Sequence, residues 1–208
     1  MRRLQPFLPL FLAFSSHFGY AVQPKEVVVE SLDGTALMAW VFGPVEMPGH
    51  QLAKERPKDY KRGTVVALHG CGGLYATAGA RKGQLNARHQ AMADLLVEQG
   101  YNVVFPDSLT PRREASLCAQ PIGSRDINQR ERRADALGTL AWVAQQPWAD
   151  SGRVAVLGWS HGGSAVLSAT DGSNKIVKNQ TFTFKTAIAF YPGCAESRKN
   201  DYRPNTPL

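Results

Sequence analysis

The stretch that decides the fold is RVAVLGWSHGGSAVLSA, residues 153–169. Residues 153–157 form an apolar run, which predicts a strand buried on both faces, and residues 162–169 have the small, apolar composition of a buried helix. The motif GWSHG at 158–162 leaves room only for a sharp turn between them. Such a turn forces its middle residue into a strained backbone conformation, and glycine two positions to either side avoids a Cβ clash.

Ser160, the middle residue of this motif, is the predicted nucleophile of an acyl-transfer site. The turn lifts its hydroxyl above the sheet, at the N-terminus of a helix whose dipole favours negative charge. Gly158 and Gly162 are the two glycines that the turn requires. The alternative is a tight turn whose serine only caps the helix. The strand before the motif and the helix after it favour the nucleophile.

A second glycine-rich segment, HGCGG at 69–73, follows another apolar run. Acyl transfer needs two N–H donors that point at the tetrahedral oxyanion. We expect one from the backbone of His161, the residue after the nucleophile, and one from this loop. In the loop the N–H of Cys71 is the first candidate and that of Gly72 the alternative. A plain turn, or a reactive Cys71 thiol, is less favoured, because nothing near Cys71 in the sequence marks an activated thiolate.

Strands and helices alternate along the rest of the chain. A hairpin with an Asp33-Gly34 turn is predicted first, from strands at 27–31 and 36–42, and a polar surface connection follows at 44–62. The later predicted elements are strands at 64–68, 102–105, 153–157 and 186–191, and helices at 85–99, 126–145 and 162–169. This order predicts a mostly parallel, doubly wound α/β sheet with an N-terminal antiparallel hairpin.

The N-terminus is typical of a secretory signal. Arg2 and Arg3 precede a short apolar run at 6–14, and Gly19 and Ala21 are small residues at suitable cleavage positions. The run is too short to span a bilayer, which takes about 20 residues. We therefore predict a signal peptide at 1–21, a single domain at 22–208, export to the periplasm or the extracellular space, and no stable membrane insertion after cleavage.

Export would permit a disulfide among the three cysteines. Cys118 and Cys194 both lie in predicted loops after strands, whereas Cys71 lies in the glycine-rich turn. Cys118–Cys194 is the pairing we predict, although sequence alone does not fix connectivity.

Composition excludes several classes of function. The formal net charge is +7 and 43% of residues are hydrophobic, which is enough for a buried core. A basic cluster at 130–133 falls on a predicted helix that also carries acidic residues, so we interpret it as a solvated face. No nucleic-acid motif accompanies it. The sequence has no metal-ligand cluster, phosphate loop or dinucleotide fingerprint, so no cofactor is implied. The oligomeric state is not predicted.

Over residues 27–208 the chain resembles the dienelactone hydrolase family of the α/β-hydrolase superfamily. The resemblance rests on VVALHGCGG, GYNVVFPDSLTPR, RRADALGTLAWV, RVAVLGWSHGGSAVL and AIAFYPGC. It implies an α/β-hydrolase fold and hydrolysis of a small-molecule ester or lactone. Dienelactone hydrolases proper carry cysteine as nucleophile, whereas this chain has Ser160, so dienelactone itself is not implied as the substrate.

The resemblance also implies a triad acid and a histidine that follow later strands than 186–191. No histidine or acid within the chain fits that order, so both are expected beyond Leu208 and the fold is expected to be C-terminally incomplete. A serine hydroxyl without a base is a poor nucleophile, and the chain as given is expected to be nearly inactive. The alternatives are a prolyl-oligopeptidase-like serine peptidase and a truncated, non-catalytic hydrolase-fold binding protein.

Overall fold

The computed structural model describes residues 24–43 and 61–208. Within them a six-stranded sheet has the order β1-β2-β4-β3-β5-β6. Its strands are β1 (Lys25–Glu30), β2 (Ala36–Phe42), β3 (Arg62–Leu68), β4 (Asn102–Pro106), β5 (Ala149–Trp159) and β6 (Thr186–Phe190). The helices are α1 (Ala87–Glu98), α2 (Gln129–Ala144), α3 (His161–Ala169), α4 (Lys175–Lys178) and α5 (Ala195–Lys199). Single 3₁₀ turns occur at Gly79–Arg81, Thr110–Arg112 and Ile122–Ser124.

The predicted arrangement of strands is confirmed. β1 pairs with β2, and β2 with β4, in antiparallel fashion, whereas β4, β3, β5 and β6 run parallel. The hairpin therefore extends one edge of the parallel sheet, and β6 forms the other. Because all four parallel strands share one direction, their carboxyl ends meet at one edge, where loops can assemble a site.

Helices cover both faces of the sheet, as the apolar strands require. On one face Leu140 of α2 and Val166 of α3 pack with Val66 and Val156 of the sheet. On the other face Ala93 and Val97 of α1 belong to a second cluster, with Phe105 and Trp159. The strands between these layers are apolar on both sides, which explains the continuous runs in the sequence.

Asparagine caps set the starts of the two long helices. Asn86 accepts a hydrogen bond from the Arg88 N–H, so α1 begins at Ala87. Asn128 and Glu131 form a capping box that starts α2 at Gln129, three residues later than predicted. The predicted signal peptide lies outside the described residues. Within the two described ranges, no helix has both the length and the apolar character needed to cross a membrane.

Candidate active site

Ser160 adopts the strained conformation that the sequence predicts. Its φ of 53° and ψ of −116° lie in a region that non-glycine residues rarely occupy, directly between β5 and α3. Two backbone hydrogen bonds hold it there: its N–H donates to the Phe190 carbonyl at 3.0 Å, and its carbonyl accepts from the Ser164 N–H at 2.9 Å. The residue is half-buried. This geometry is that of a nucleophile at a strand–turn–helix elbow.

The glycines around Ser160 are required by close backbone approach. A Cβ on Gly158 would overlap the carbonyl of Gly162, and a Cβ on Gly162 would overlap the carbonyl of Leu68. A Cβ on Gly163 would lie 2.8 Å from the Phe190 carbonyl oxygen. The turn thus packs its backbone directly on the ends of β3 and β6, and any side chain at these positions would push the elbow out of place.

The glycine-rich loop after β3 lies beside Ser160. A Cβ on Gly70 would lie 3.6 Å from the Ser160 Cβ, so the loop and the nucleophile are neighbours. Among the described residues, neither the Cys71 nor the His161 backbone N–H has a hydrogen-bond acceptor. Two free N–H groups close to the nucleophile are what an oxyanion hole requires. Their role as the donors, with Gly72 as the alternative to Cys71, stays a prediction.

The predicted disulfide is wrong: Cys71 is bonded to Cys118, with 5.0 Å between their Cα atoms, and Cys194 is free and exposed. The reason is that the segment after β4 folds over the glycine-rich loop. The Leu117 N–H donates to the Cys71 carbonyl at 2.7 Å, which brings the neighbouring Cys118 into range. Cys194 follows β6, on the far side of β5 from β3. The prediction left Cys71 unpaired because it lies in the glycine-rich turn, but the segment after β4 packs on that turn.

Two buried residues, His69 at the start of the loop and Arg132 on α2, make contacts that the sequence did not predict. His69 is fully buried, and its Nδ1 lies 2.8 Å from the Gly70 carbonyl oxygen, while the Ser108 N–H donates to its Nε2 at 3.2 Å. Because Nε2 accepts from a backbone amide, the proton must sit on Nδ1. Arg132 of α2 is also fully buried and donates to the His69 carbonyl at 2.7 Å. The predicted solvated face is therefore wrong for Arg132. The basic composition of the helix gave no signal that one of its arginines is buried.

The described histidines around the elbow are held in the neutral form. Burial, followed by the charge of Arg132, puts the pKa of His69 well below its usual value. Burial, with a further contribution from Arg132, also lowers the pKa of His161 to about 3. The His161 Nδ1 is buried without a partner among the described residues. A ring with so low a pKa is poorly suited to take a proton from Ser160 near neutral pH.

The described residues complete only part of a catalytic constellation. Across 24–43 and 61–208, no histidine or carboxylate forms a hydrogen bond to the Ser160 hydroxyl. The same ranges contain no group of three or more histidine, cysteine or acidic side chains that could hold a metal ion. Among the described residues, the arrangement therefore offers a strained serine and free amide donors but no base, and the role of Ser160 as the nucleophile stays a prediction.

Comparison with known proteins places the chain among the hydrolases. A family model described as X-Pro dipeptidyl-peptidase (S15 family) matches residues 74–181, more than half of the 208 residues. No curated protein matches the sequence.

Solved structures with the same fold include peptidases and dienelactone hydrolase-like enzymes. A puromycin-hydrolysing peptidase of Mycobacterium tuberculosis is 20% identical, with a TM-score of 0.57 over 87% of this chain and 24% of that one. Porphyromonas gingivalis dipeptidyl peptidase 4 is 17% identical, with a TM-score of 0.53 over 83% and 21%. A dienelactone hydrolase-like promiscuous phosphotriesterase from metagenomic libraries is 17% identical, with a TM-score of 0.57 over 84% and 61%. These likenesses show the α/β-hydrolase fold. The chain spans 21% to 61% of the length of these three structures.

Proposed function

The chain belongs to the X-Pro dipeptidyl-peptidase (S15) family, and on that premise we propose that it is the nucleophile-bearing part of an exported serine acyl-hydrolase. Ser160 attacks the carbonyl carbon of a small-molecule ester or lactone and becomes acylated. The observation that carries the proposal is the strained Ser160 backbone, directly beside a loop with free amides. Strain of this kind persists only where the surroundings enforce it, and it clusters at active sites.

In the proposed reaction a base takes the Ser160 proton as Oγ bonds to the carbonyl carbon. The negative charge that forms on the carbonyl oxygen is bound by the N–H groups of Cys71 and His161. The leaving group departs with a proton from the base, and water then hydrolyses the acyl-enzyme by the same steps. Removal of one such donor typically lowers kcat by about 10²–10³ fold.

We propose that the base, a histidine held by an acid, comes from residues beyond Leu208. Two observations support this. No described residue serves as the base, and the last residues already lie along the free edge of the sheet. There the Pro207 carbonyl accepts a hydrogen bond from the Ala187 N–H of β6 at 2.8 Å. A polypeptide that continued in this direction would extend the sheet past β6.

Export is part of the proposal. The predicted signal at 1–21 supports it, and so does the Cys71–Cys118 disulfide, because disulfides persist in oxidising compartments. No nucleic-acid partner or cofactor enters the proposal.

A second candidate is a serine peptidase that cleaves after an X-Pro dipeptide. The observation that favours it is the family-model match over residues 74–181. The two candidates share the nucleophile and the oxyanion donors and differ in the leaving group, which is an alcohol from an ester and an amine from a peptide.

The test is covalent labelling followed by a choice of substrates. In a protein extended past Leu208, a fluorophosphonate should modify Ser160, as located by mass spectrometry of peptides, and the Ser160→Ala variant should remain unlabelled. A protein extended past Leu208 should then hydrolyse a chromogenic short-chain ester faster than an X-Pro anilide. The opposite preference would establish the peptidase. If the protein is folded but shows neither labelling nor turnover, the result would instead favour a non-catalytic binding protein.

A further inference from the structure

Arg132 has an environment that is unusual for an arginine. Its side chain is fully buried, its Nε has no partner, and no described carboxylate lies within 4.0 Å of its guanidinium. A buried cation without a close counter-ion loses several kcal/mol of hydration free energy, which the hydrogen bond to the His69 carbonyl offsets only in part. Such a group calls for an explanation other than stability.

Of the two nearest buried carboxylates, Asp135 is occupied by other donors, whereas Asp107 is occupied at one oxygen only and its second oxygen has no partner among the described residues. Asp135 accepts two hydrogen bonds from Arg112, at 2.8 and 3.0 Å. One oxygen of Asp107 accepts the backbone N–H groups of Leu109 and Thr110. Burial, the largest influence, lowers the pKa of Arg132 to about 10. Both carboxylates attract its charge from a distance and oppose part of that decrease. At neutral pH the guanidinium therefore stays charged, with its charge only partly balanced.

The charge lies against both segments that carry the free amides. The Arg132 Nη2 donates at 2.7 Å to the His69 carbonyl oxygen. That same oxygen also lies close to Gly162, the residue after His161, because a Cβ on Gly162 would be only 2.6 Å from it. On the other side the His69 ring holds the Gly70 carbonyl, which belongs to the peptide group that carries the Cys71 N–H.

His69 also lies between Arg132 and Asp107, one of the two buried carboxylates. The Arg132 Nη1 lies 3.4 Å from the His69 Nδ1, and an oxygen of Asp107 lies 4.0 Å from the His69 Nε2. The three side chains form an array with the cation at the end nearest the elbow and the loop. In a buried site, where solvent screens little, such an array adds positive potential at that end.

We propose that Arg132 is a positioning residue of the oxyanion hole: it fixes the His69 carbonyl against Gly162, and its charge stabilises the oxyanion through the peptide groups of Cys71 and His161. The inference rests on the proposed function of Ser160. It does not require Arg132 to touch the substrate, because the charge acts through the intervening backbone. Groups that are fixed before reaction cost no reorganisation when the oxyanion forms.

The test uses a boronic acid, which forms an anionic tetrahedral adduct with a nucleophilic serine. Phenylboronic acid is titrated against the oxidised protein extended past Leu208, which would carry the proposed base, and the adduct is followed by ¹¹B NMR. Arg132→Met removes the charge with a similar side-chain volume, and Arg132→Lys keeps the charge. We expect the Met variant to bind about tenfold more weakly or worse, and the Lys variant to recover most of the affinity. Equal affinity in wild type and Met, or equal losses in Met and Lys, would overturn the inference.

Amide hydrogen exchange tests the positioning separately from binding. The Gly73 N–H donates to the Gly70 carbonyl at 3.2 Å and reports on the loop, and the Thr170 N–H at the end of α3 is the control. Arg132→Met should accelerate exchange at Gly73 by about tenfold and leave Thr170 unchanged. Unchanged exchange at Gly73 contradicts the inference.

If the wild-type protein binds no boronate and Ser160 resists labelling, the proposed function fails. The hydrogen-exchange measurement then still decides whether Arg132 holds the loop. If the Met variant does not fold, Arg132→Lys alone must keep boronate affinity within about threefold.

Discussion

The two flanks of Ser160 are built differently. The β3 flank consists of the loop at 69–73, the segment at 105–118 and Arg132, and a disulfide and buried hydrogen bonds join these parts. The β6 flank consists of β6 and residues 191–208. Phe190 there is 37% exposed and Tyr191 is 61% exposed, and the free cysteine is also exposed. The β3 flank has fully buried side chains at its centre, such as His69, Ser108 and Arg132, whereas the β6 flank presents an apolar edge.

This difference fits the two tasks of an acyl-transfer site, which are to bind the oxyanion and to supply the base. Oxyanion donors act best when their surroundings hold them rigidly, and the β3 flank provides such surroundings. The β6 flank instead presents a groove lined by side chains such as Leu167, Ile188, Phe190 and Leu208. In our proposal the chain that carries the base packs on this side.

The largest expected effect is on the free energy of unfolding, when each of two aromatic rings that stack on Trp159 is replaced by alanine. Phe105 is fully buried with its ring 6.4 Å from that of Trp159, and the exposed Phe190 ring lies at 6.0 Å on the other side. Phe105→Ala should lower the free energy of unfolding by about 3–5 kcal/mol because it opens a core cavity. Phe190→Ala should cost about 1 kcal/mol because much of its ring already contacts water. Urea denaturation of both variants measures the difference. Equal costs would show that the β6 flank is as closely packed as the β3 flank.

The next effect concerns the covalent link of the β3 flank. Cys118→Ser opens a disulfide between residues 47 apart, and the free energy of unfolding should fall by about 2–4 kcal/mol. In a protein extended past Leu208, labelling of Ser160 by a fluorophosphonate should slow as well, because Cys71 then loses its side-chain anchor. Cys194→Ser is the matched control and should change neither quantity. If the two variants behave alike, the disulfide does not distinguish the flanks.

The sequence predicted the sheet well and the support of the site poorly, for a physical reason. Strand and helix periodicity is local, so β3, β5 and the elbow at Ser160 could be predicted from a few neighbouring residues. The elbow glycines follow from steric clashes within the motif and the strands beside it. The burial of Arg132 and the bond between Cys71 and Cys118 depend on how the segment after β4 folds over the loop. Those contacts join residues far apart in the sequence, and no local pattern encodes them.

The last expected effect is a pH dependence that belongs to the β3 side of the molecule. His89 of α1 packs against Phe105 and Trp159, whereas residues 186–208 contain no histidine. Burial lowers the pKa of His89 to about 4, against an opposing hydrogen bond to the Leu74 carbonyl. In the unfolded chain the His89 ring is therefore protonated as the pH falls below about 6.5, whereas in the folded protein it is protonated only near pH 4. Stability conferred by the neutral ring is complete above pH 6.5 and is lost as the pH falls through this window.

Each such histidine adds at most about 1.4 kcal/mol per pH unit to the slope of unfolding free energy against pH. His89→Gln should therefore flatten the slope between pH 6.5 and 4, and Lys82→Gln, which alters an exposed charge on the same side of the molecule, should leave it unchanged. Urea denaturation at half-unit pH intervals measures the slope. The lowered pKa of His161 acts in the same direction, so the His89 variant retains part of the slope. A slope equal to that of the wild type would mean that the His89 ring takes up its proton in the folded protein, and that the β3 side is less closed to water than its packing indicates.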